Sequence, residues 1–283
     1  MLSERKQFYK YFTRNPIDPN IHCFDDLFLN AIENVLNKKN ADRDQYFDAN
    51  IKRIWNYVVK RQEDDLHYKS IEPIFYIHDI NTRLIQCNLA YNFSSSKKKN
   101  YHFLKSRSYL LNEIDTINHR QYEAIAIYLC ELLGAKNVLL TPPGNEAGID
   151  FVATIEFNKN AHFLFGINGP IRIIGQCKKY GSPVQVDKIK EFNATLQDVY
   201  SLTTKMRSVL PNWFLKSKGI IIGWIISHSG FQNGAQERAN DYGIIISDTE
   251  DIAQQIASSK KFYGDKSIDR RHLNLKDDLN KYL

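Results

Sequence analysis

Gly-Ile-Asp-Phe-Val-Ala (148–153) and Ile-Ile-Gly-Gln-Cys-Lys-Lys-Tyr (173–180) are the two ends of the stretch that decides the fold. Both segments are apolar and rich in β-branched residues, so each predicts a short buried strand. Because side chains alternate between the two faces of a strand, Gln176 and Lys178 share one face and Cys177 takes the other. Each strand therefore carries polar side chains where a buried strand seldom has them.

Those polar side chains form a candidate site for the cleavage of a phosphodiester. The Asp150 carboxylate and the Gln176 amide oxygen are hard oxygen ligands that suit Mg²⁺. The backbone carbonyl of Cys177 is a further ligand because it lies between two site residues. The Lys178 ammonium can hold an attacking water and offset the charge that grows on the phosphate. A buried structural salt bridge between Asp150 and Lys178 is the alternative interpretation.

Gly148-Ile149-Asp150 followed by Gln176-Cys177-Lys178 resembles the PD-(D/E)XK nuclease superfamily, in its Mrr-type restriction endonuclease branch. That branch is similar to this chain in using Gln where most of the superfamily has Glu or Asp. The resemblance covers roughly residues 118–257. It implies an α/β restriction-endonuclease-like core, with a mixed central sheet flanked by helices. It also implies endonucleolytic cleavage of DNA with Mg²⁺, for which Mn²⁺ can substitute, and a restriction or defence role.

Glu123 is a candidate second acid for this site. It lies early in a predicted helix that runs from Asn118 to Leu133 and is closed by Gly134. Because Gln176 is neutral, metal affinity falls unless another carboxylate compensates, and Mrr-like nucleases carry an acid at the matching place in this helix. The resemblance therefore implies that Glu123 is catalytic and a possible metal ligand. The alternative is a surface carboxylate that a first helical turn favours.

Three lysines near the candidate site are predicted to contact nucleic acid. Lys179 follows Lys178, and Lys188 and Lys190 lie at the start of a helix that the spacing of apolar residues predicts from Val186. Ordinary exposure to solvent is the alternative for these side chains. His228, at the end of the apolar segment Gly219–Ser227, is interpreted as structural or adjacent to a phosphate, because no Ser or Cys nucleophile accompanies it.

The length of 283 residues allows one large or two modest domains. We predict a mainly helical N-terminal domain (1–110), a catalytic domain (111–258) and a charged tail helix (259–283). The net charge is +6, and residues 1–110 carry most of the basic excess. That domain is interpreted as a module for DNA or target recognition, or alternatively as a helical cap or dimerisation arm.

Further elements follow from the periodicity of apolar residues. Two N-terminal helices are predicted over Cys23–Asn37 and Asp42–Arg61, and residues 72–93 suit either a hairpin or a helix. Ser94–Asn100 is predicted to be a polar loop and Lys205–Trp213 a connecting stretch. The strand Gly219–Ser227 is followed by a helix, by a strand over 243–248 and by a helix over 249–257.

Composition favours a cytoplasmic protein. No apolar run is long enough for a membrane span and the N-terminus lacks the pattern of a signal peptide. The four cysteines are widely spaced, which predicts reduced and buried thiols rather than disulfides or a zinc site.

The sequence therefore predicts a magnesium-dependent endonuclease that acts on DNA. A homodimer is expected because double-strand cleavage needs two sites. A structure-selective repair or junction-resolving nuclease is the first alternative, and a catalytically silent DNA-binding protein on the same fold is the second. A cleavage assay on linear and branched DNA distinguishes the first alternative from the predicted endonuclease. Asp150→Ala distinguishes the second, because in an active nuclease this change should abolish cleavage and leave DNA binding largely intact.

Overall fold

The computed structural model describes residues 2–18, 20–87, 95–144, 147–156, 169–259 and 275–283, with the backbone alone for 95–105. The chain divides into two compact units, Leu2–Asn112 and a second unit that begins at Glu113. Residues 260–274 of the predicted tail lie outside the described ranges. In the described part of the chain, no helix has both the length and the apolar character needed to cross a membrane.

The first unit combines helices with a small antiparallel sheet whose strand order is β1-β3-β2. Its core is rich in aromatic rings, among which Phe24 contacts both Phe28 and Trp55. The elements are α1 (Glu4–Arg14), β1 (Ile21–Cys23), α2 (Phe24–Leu36), α3 (Asn40–Lys69), β2 (Phe75–Asp79), β3 (Leu84–Cys87) and α4 (Ser95–Thr116), of which the last turn belongs to the second unit.

Two predictions for the first unit are decided by these elements. Residues 72–93 contain a hairpin, β2 and β3, rather than a helix. The predicted polar loop Ser94–Asn100 is wrong from Ser95 onward, because α4 begins there. Serine is favoured at the start of a helix and lysine is a good helix former, so the polar composition did not exclude a helix.

The second unit is built on a five-stranded sheet in the order β4-β5-β6-β7-β8. β5 pairs antiparallel with both β4 and β6, whereas β6, β7 and β8 are parallel. The elements are α5 (His119–Leu132), β4 (Ala135–Leu140), β5 (Phe151–Ile155), β6 (Ile171–Lys178), α6 (Val186–Tyr200), α7 (Thr204–Val209), α8 (Asn212–Lys216), β7 (Ile221–Ser227), α9 (Asn233–Asp241), β8 (Ile245–Asp248), α10 (Thr249–Ser258) and α11 (Leu275–Asn280).

Helices cover both faces of this mixed sheet, which confirms the predicted fold class. On one face Phe192 and Leu196 of α6 pack with Ile174 of β6 in a continuous buried cluster. On the other face α5 packs against β4, β5 and β6. β6 lies at the centre of the sheet, so its side chains pack against helices on both faces.

Helix α5 begins at a capping box. The Asn118 side chain accepts a hydrogen bond from the Gln121 N–H at 2.8 Å, and the Gln121 side chain accepts one from the Asn118 N–H at 3.0 Å. These two bonds satisfy backbone donors that the first turn of a helix leaves without partners. The start of α5 is thereby fixed at the same edge of the sheet as the end of β6.

Two other boundaries in this unit differ from the prediction. The first strand of the deciding stretch begins at Phe151 rather than Gly148, because Gly148 has a positive φ of 83° and belongs to the preceding turn. Lys205–Trp213, predicted as a connecting stretch, contains α7 and the start of α8. The Thr203 side chain caps α7 by accepting from the Met206 N–H, a local bond that apolar periodicity does not detect.

Gly175 leaves room for an aromatic ring of the neighbouring strand. It lies directly opposite Phe151 in the β5–β6 ladder. A β-carbon added at Gly175 would lie 1.9 Å from Cζ of Phe151, whose ring is fully buried. The aromatic ring therefore occupies the space that any other residue at position 175 would need.

We expect Gly175→Ala to destabilise the protein by about 2 kcal/mol or more, because a buried ring and its neighbours must move to accept one methyl group. Gly181→Ala is the matched control, since nothing lies within 4 Å of the position that its β-carbon would take. Urea unfolding of both variants measures the difference. Equal midpoints for the two variants would contradict the packing described above.

The cysteines are free, and three of the four are buried. Burial raises the pKa of Cys130 to about 12. Burial also raises the pKa of the Cys177 thiol well above its ordinary value, with the Asp150 and Glu123 charges as further causes. Because the folded state disfavours the thiolate, the stability that neutral Cys130 contributes is complete below pH 9.0 and is lost as the pH rises toward about 12.

We expect iodoacetamide at about pH 8 to label half-buried Cys23 first, because alkylation requires an accessible thiolate. Cys130 and Cys177 should react only after denaturant is added. Mass spectrometry of peptides from native and unfolded protein measures the order. Equal labelling of Cys177 and Cys23 in native protein would show that the region around β6 opens readily.

Candidate active site

The antiparallel pairing of β5 and β6 brings the N-terminal end of β5 beside the C-terminal end of β6. Phe151 pairs with Gly175, and the Asp150 N–H donates to the Gly175 carbonyl at 2.9 Å. Asp150 and Gln176 follow directly beyond this last pair of the ladder. The structure therefore brings Asp150 against the backbone of residues 175–177, next to Gln176.

The Asp150 carboxylate is held by the backbone of the neighbouring strand. Its Oδ2 accepts a hydrogen bond from the Cys177 N–H at 2.6 Å, and the residue is only 6 % exposed. Behind it, the hydroxyl of Thr141 donates to the carbonyls of Ile149 and Asp150, at 2.6 and 3.0 Å. The carboxylate is therefore fixed in position. Sequence reasoning missed Thr141, because nothing in the sequence around it shows that its hydroxyl returns to this strand.

Gln176 is oriented by the turn that precedes β5. Its Nε2 donates to the Gly148 carbonyl at 3.1 Å, so the amide oxygen Oε1 is the atom that can meet a cation. Gly148 adopts a φ of 83°, and an added β-carbon would lie 2.9 Å from Oγ1 of Thr195. Glycine is thus required on conformational and steric grounds at the residue that orients Gln176.

Lys178 lies two residues beyond Gln176 on the same face of β6 and is half-buried. Its Nζ lies 5.8 Å from the centroid of the Tyr180 ring, within the range of a cation–π interaction. Tyr180 is 40 % exposed, so the lysine stays at the boundary with solvent.

Glu123 of α5 lies close to this strand end and is held by an ion pair. Nη1 of Arg120 donates to Oε2 of Glu123 at 2.7 Å, with side-chain exposures of 27 % for Arg120 and 19 % for Glu123. After burial, the charges of Asp150 and Glu123 contribute to the raised pKa of Cys177. Both carboxylates therefore act on the residue between Gln176 and Lys178.

The three lysines predicted to contact nucleic acid have different surroundings. The Lys179 ammonium donates to the carbonyls of Asp115 and Ile117 at the end of α4. Lys188 forms an ion pair with Glu191 at 2.8 Å, and Lys190 is exposed on α6. Lys179 is thus engaged by the backbone, whereas the other two face solvent. Contact of these residues with nucleic acid stays a prediction.

His228 makes hydrogen bonds and a ring contact at the same edge of the sheet. Its Nε2 lies 2.8 Å from Oδ1 of Asp115, and its ring meets the buried Tyr122 ring edge-on at 5.8 Å. Its backbone N–H donates to the Lys178 carbonyl at 2.9 Å, and its own carbonyl accepts from the Thr249 hydroxyl. These contacts support a structural role for His228. Asp115 could not be identified as its partner from sequence, because the two residues are far apart along the chain.

The residues at this edge fit a hard divalent cation. Asp150 offers a carboxylate, Gln176 an amide oxygen, and Cys177 a carbonyl that faces β5 because carbonyls two residues apart point to the same side of a strand. Among the described residues, no three His, Cys, Asp or Glu side chains are placed to hold a metal together. The set therefore depends on neutral oxygens, with Asp150 as its buried charge.

Comparison with known proteins gives a family for this arrangement. The Mrr catalytic-domain family, described as restriction endonuclease, matches residues 114–256, which is half of the chain and includes the residues described above. No curated protein matches.

Two solved structures are similar in part. The restriction endonuclease MspJI in complex with a 27-mer oligonucleotide has 16 % identity and a TM-score of 0.36, and the match covers 65 % of this chain and 36 % of that one. The DNA modification-dependent restriction endonuclease AspBHI has 15 % identity and a TM-score of 0.39, with 78 % of this chain and 48 % of that one covered. The chain thus matches less than half the length of either protein. Through residues 114–256, it belongs to the restriction endonuclease family that has the Mrr-type catalytic domain.

Proposed function

We propose that this protein is a magnesium-dependent endonuclease that hydrolyses phosphodiester bonds of DNA in a restriction or defence role. The observation that carries the proposal is the Asp150 carboxylate, fixed at 2.6 Å from the Cys177 backbone nitrogen, on the strand beside the one that carries Gln176. Lys178 lies on the same face of β6 as Gln176, two residues further along the strand. Membership of the restriction endonuclease family supports the proposal that DNA is the substrate.

The proposed metal ligands are Asp150, Oε1 of Gln176 and the carbonyl of Cys177, with Glu123 as a second acid. A bound Mg²⁺ would supply a more acidic water and offset negative charge on the phosphate. Asp150 contributes a carboxylate from a rigid position, since its carboxylate and its carbonyl are both hydrogen-bonded. Glu123 compensates for the neutral Gln176, because divalent cations bind more tightly as the number of charged ligands rises.

Lys178 acts on the water and the phosphate rather than on the metal. Its ammonium is a compact charge with three donors, so it can hold the attacking water and also stabilise charge that develops on a phosphate oxygen. The Tyr180 ring limits where the ammonium can lie without neutralising it. The lysine is therefore oriented before DNA arrives, which reduces the reorganisation needed during the reaction.

Double-strand cleavage by one site per chain implies two copies, so we propose a homodimer on DNA. The exposed Lys190 and the solvent-facing Lys188 are proposed to contact the backbone of the duplex, since both lie on the surface of α6. Such contacts neutralise phosphates and make binding depend strongly on salt. The N-terminal unit is proposed to take part in target recognition, since residues 1–110 carry most of the basic excess of the chain.

We expect Asp150→Asn to reduce the cleavage of plasmid DNA in Mg²⁺ by more than about a hundredfold, because even residues that only support metal ligands are worth about tenfold to a hundredfold. The asparagine oxygen can still accept from the Cys177 N–H, so folding should be preserved. DNA affinity in a gel-shift assay should be unchanged or higher. Asp187→Asn, which alters an acid in the first turn of α6, is the control and should cleave normally.

A wild-type protein that binds DNA but cuts neither linear nor branched substrates in Mg²⁺ or Mn²⁺ would support the silent DNA-binding alternative. Preference for branched over linear DNA would support the structure-selective alternative. Full activity of Asp150→Asn would reject the proposed site.

We expect Lys178→Ala to reduce the cleavage rate by about a hundredfold to a thousandfold, the usual effect of removing one group that stabilises the transition state. Metal binding should persist, because Lys178 is not a ligand, and this separates it from Asp150→Asn. Lys216→Ala, which removes a lysine from the last turn of α8, is the matched control. Calorimetric titration with Mn²⁺ and mapping of the DNA ends give the two measurements. Loss of metal binding in Lys178→Ala would contradict the assigned role.

A further inference from the structure

The ion pair between Arg120 and Glu123 lies on α5, beside the candidate active site. The residues are three positions apart, so their side chains are neighbours on the helix surface. The Nη1–Oε2 distance is 2.7 Å, and both side chains are largely shielded from solvent. Shielding makes this pair more persistent than the fully exposed ion pairs of a protein surface.

Three contacts tie the first turns of α5 to the end of β6, independently of any titration. Lys179 donates to the Ile117 carbonyl just before the helix. Tyr122, the neighbour of Glu123, packs against the ring of His228. His228 in turn donates its backbone N–H to the Lys178 carbonyl. The Glu123 carboxylate is therefore held close to the strand that carries the proposed metal ligands.

Arg120 and a divalent cation at this edge would both be stabilised by the Glu123 carboxylate. Asp150 is the buried carboxylate of the proposed ligand set, while Gln176 and the Cys177 carbonyl are neutral. A divalent cation is thus left with excess positive charge, which a second carboxylate would balance. Arg120 already uses Glu123 as its partner. Two cations that share one carboxylate repel each other, so the guanidinium and the metal favour different arrangements of Glu123.

A guanidinium released from Glu123 has a suitable new partner in a DNA phosphate. Arginine presents five N–H donors in a planar fork that matches two oxygens of a phosphate, and it stays charged at any accessible pH. Among the described residues, Glu123 is the partner that the structure gives to Arg120, and the bond between them is made by Nη1. Transfer to a phosphate would therefore exchange one anionic partner for another, with no charge left unpaired.

We propose that Arg120 is a positioning residue that competes with the divalent cation for Glu123 and transfers to a phosphate of the DNA when the cation takes that carboxylate. The inference rests on the proposed nuclease function. It makes metal and DNA binding mutually dependent, because a phosphate that engages Arg120 frees Glu123 for the metal. By thermodynamic linkage, the metal must strengthen DNA binding by the same factor.

The test is Mn²⁺ binding to Arg120→Gln without DNA, measured by calorimetry or by the electron paramagnetic resonance signal of free Mn²⁺. Removing the competing charge should tighten Mn²⁺ binding by about fivefold to tenfold, at the lower end of the usual range of coupling between sites. In the same variant DNA cleavage should be slower, because the phosphate loses a partner. A role limited to helix stability would not tighten metal binding.

Two further variants show whether the effect passes through Glu123. In a Glu123→Gln background, Arg120→Gln should no longer change Mn²⁺ affinity. Arg238→Gln is the matched control, since Arg238 and Asp241 form an ion pair with the same spacing on α9, and it should leave Mn²⁺ affinity unchanged. In a Lys178→Ala background, in which cleavage is slow, a short duplex should tighten Mn²⁺ binding, and Arg120→Gln should reduce this gain.

Unchanged or weaker Mn²⁺ binding in Arg120→Gln, with a normal melting temperature, would overturn the inference. If Asp150→Asn still abolished Mn²⁺ binding in that case, the proposed nuclease site would stand and the competition alone would fail. Absence of both Mn²⁺ binding and cleavage in the wild-type protein would instead reject the proposed function.

Discussion

The register between β5 and β6 is the constraint on which the rest of this structure depends. Phe151 lies over Gly175, and no other residue at position 175 leaves room for the ring. A slip by one residue would turn every side chain of the strand to the opposite face. The Asp150 carboxylate would then lose its bond to the Cys177 N–H, which lies between Gln176 and Lys178. The packing of one apolar ring against one glycine thus determines which polar groups meet at the edge of the sheet.

Much of the catalytic unit could be predicted from sequence because its elements follow strong local patterns. The apolar periodicity of α5 and α6 and the apolar run of β7 indicate helix and strand with little ambiguity. The order of these elements, read from those patterns, resembles the Mrr-type catalytic domain over residues 118–257, and the family match over residues 114–256 confirms that resemblance. Local patterns failed where polar residues form helices, as in α4 and α7, because side-chain caps and helix propensity act there in place of an apolar face.

The candidate site was predictable in its central part and less so around it. Strand alternation places Gln176 and Lys178 on one face, and the pairing of β5 and β6 brings Asp150 beside the end of β6. The supporting groups Thr141, Asp115 and Arg120 have no comparable signal. The first two act through bonds whose partners are set by the folded chain, and Arg120 resembles any charged residue at the start of a helix. Which residues surround a site is decided by tertiary contacts, whereas the site residues themselves recur at a recognisable spacing.

The hydrogen bond from Gln176 to the Gly148 carbonyl has a consequence for how this family can diverge. A single base change converts a glutamine codon to a glutamate codon, and so to the acid that is usual in the wider superfamily. In this chain, however, a carboxylate would face the Gly148 carbonyl with no hydrogen to donate. Two oxygen atoms would then repel each other at a turn whose positive φ favours glycine. Glutamate at position 176 is therefore expected to lose the contact that orients this side chain, so the exchange of amide for acid also requires a different conformation of the preceding turn.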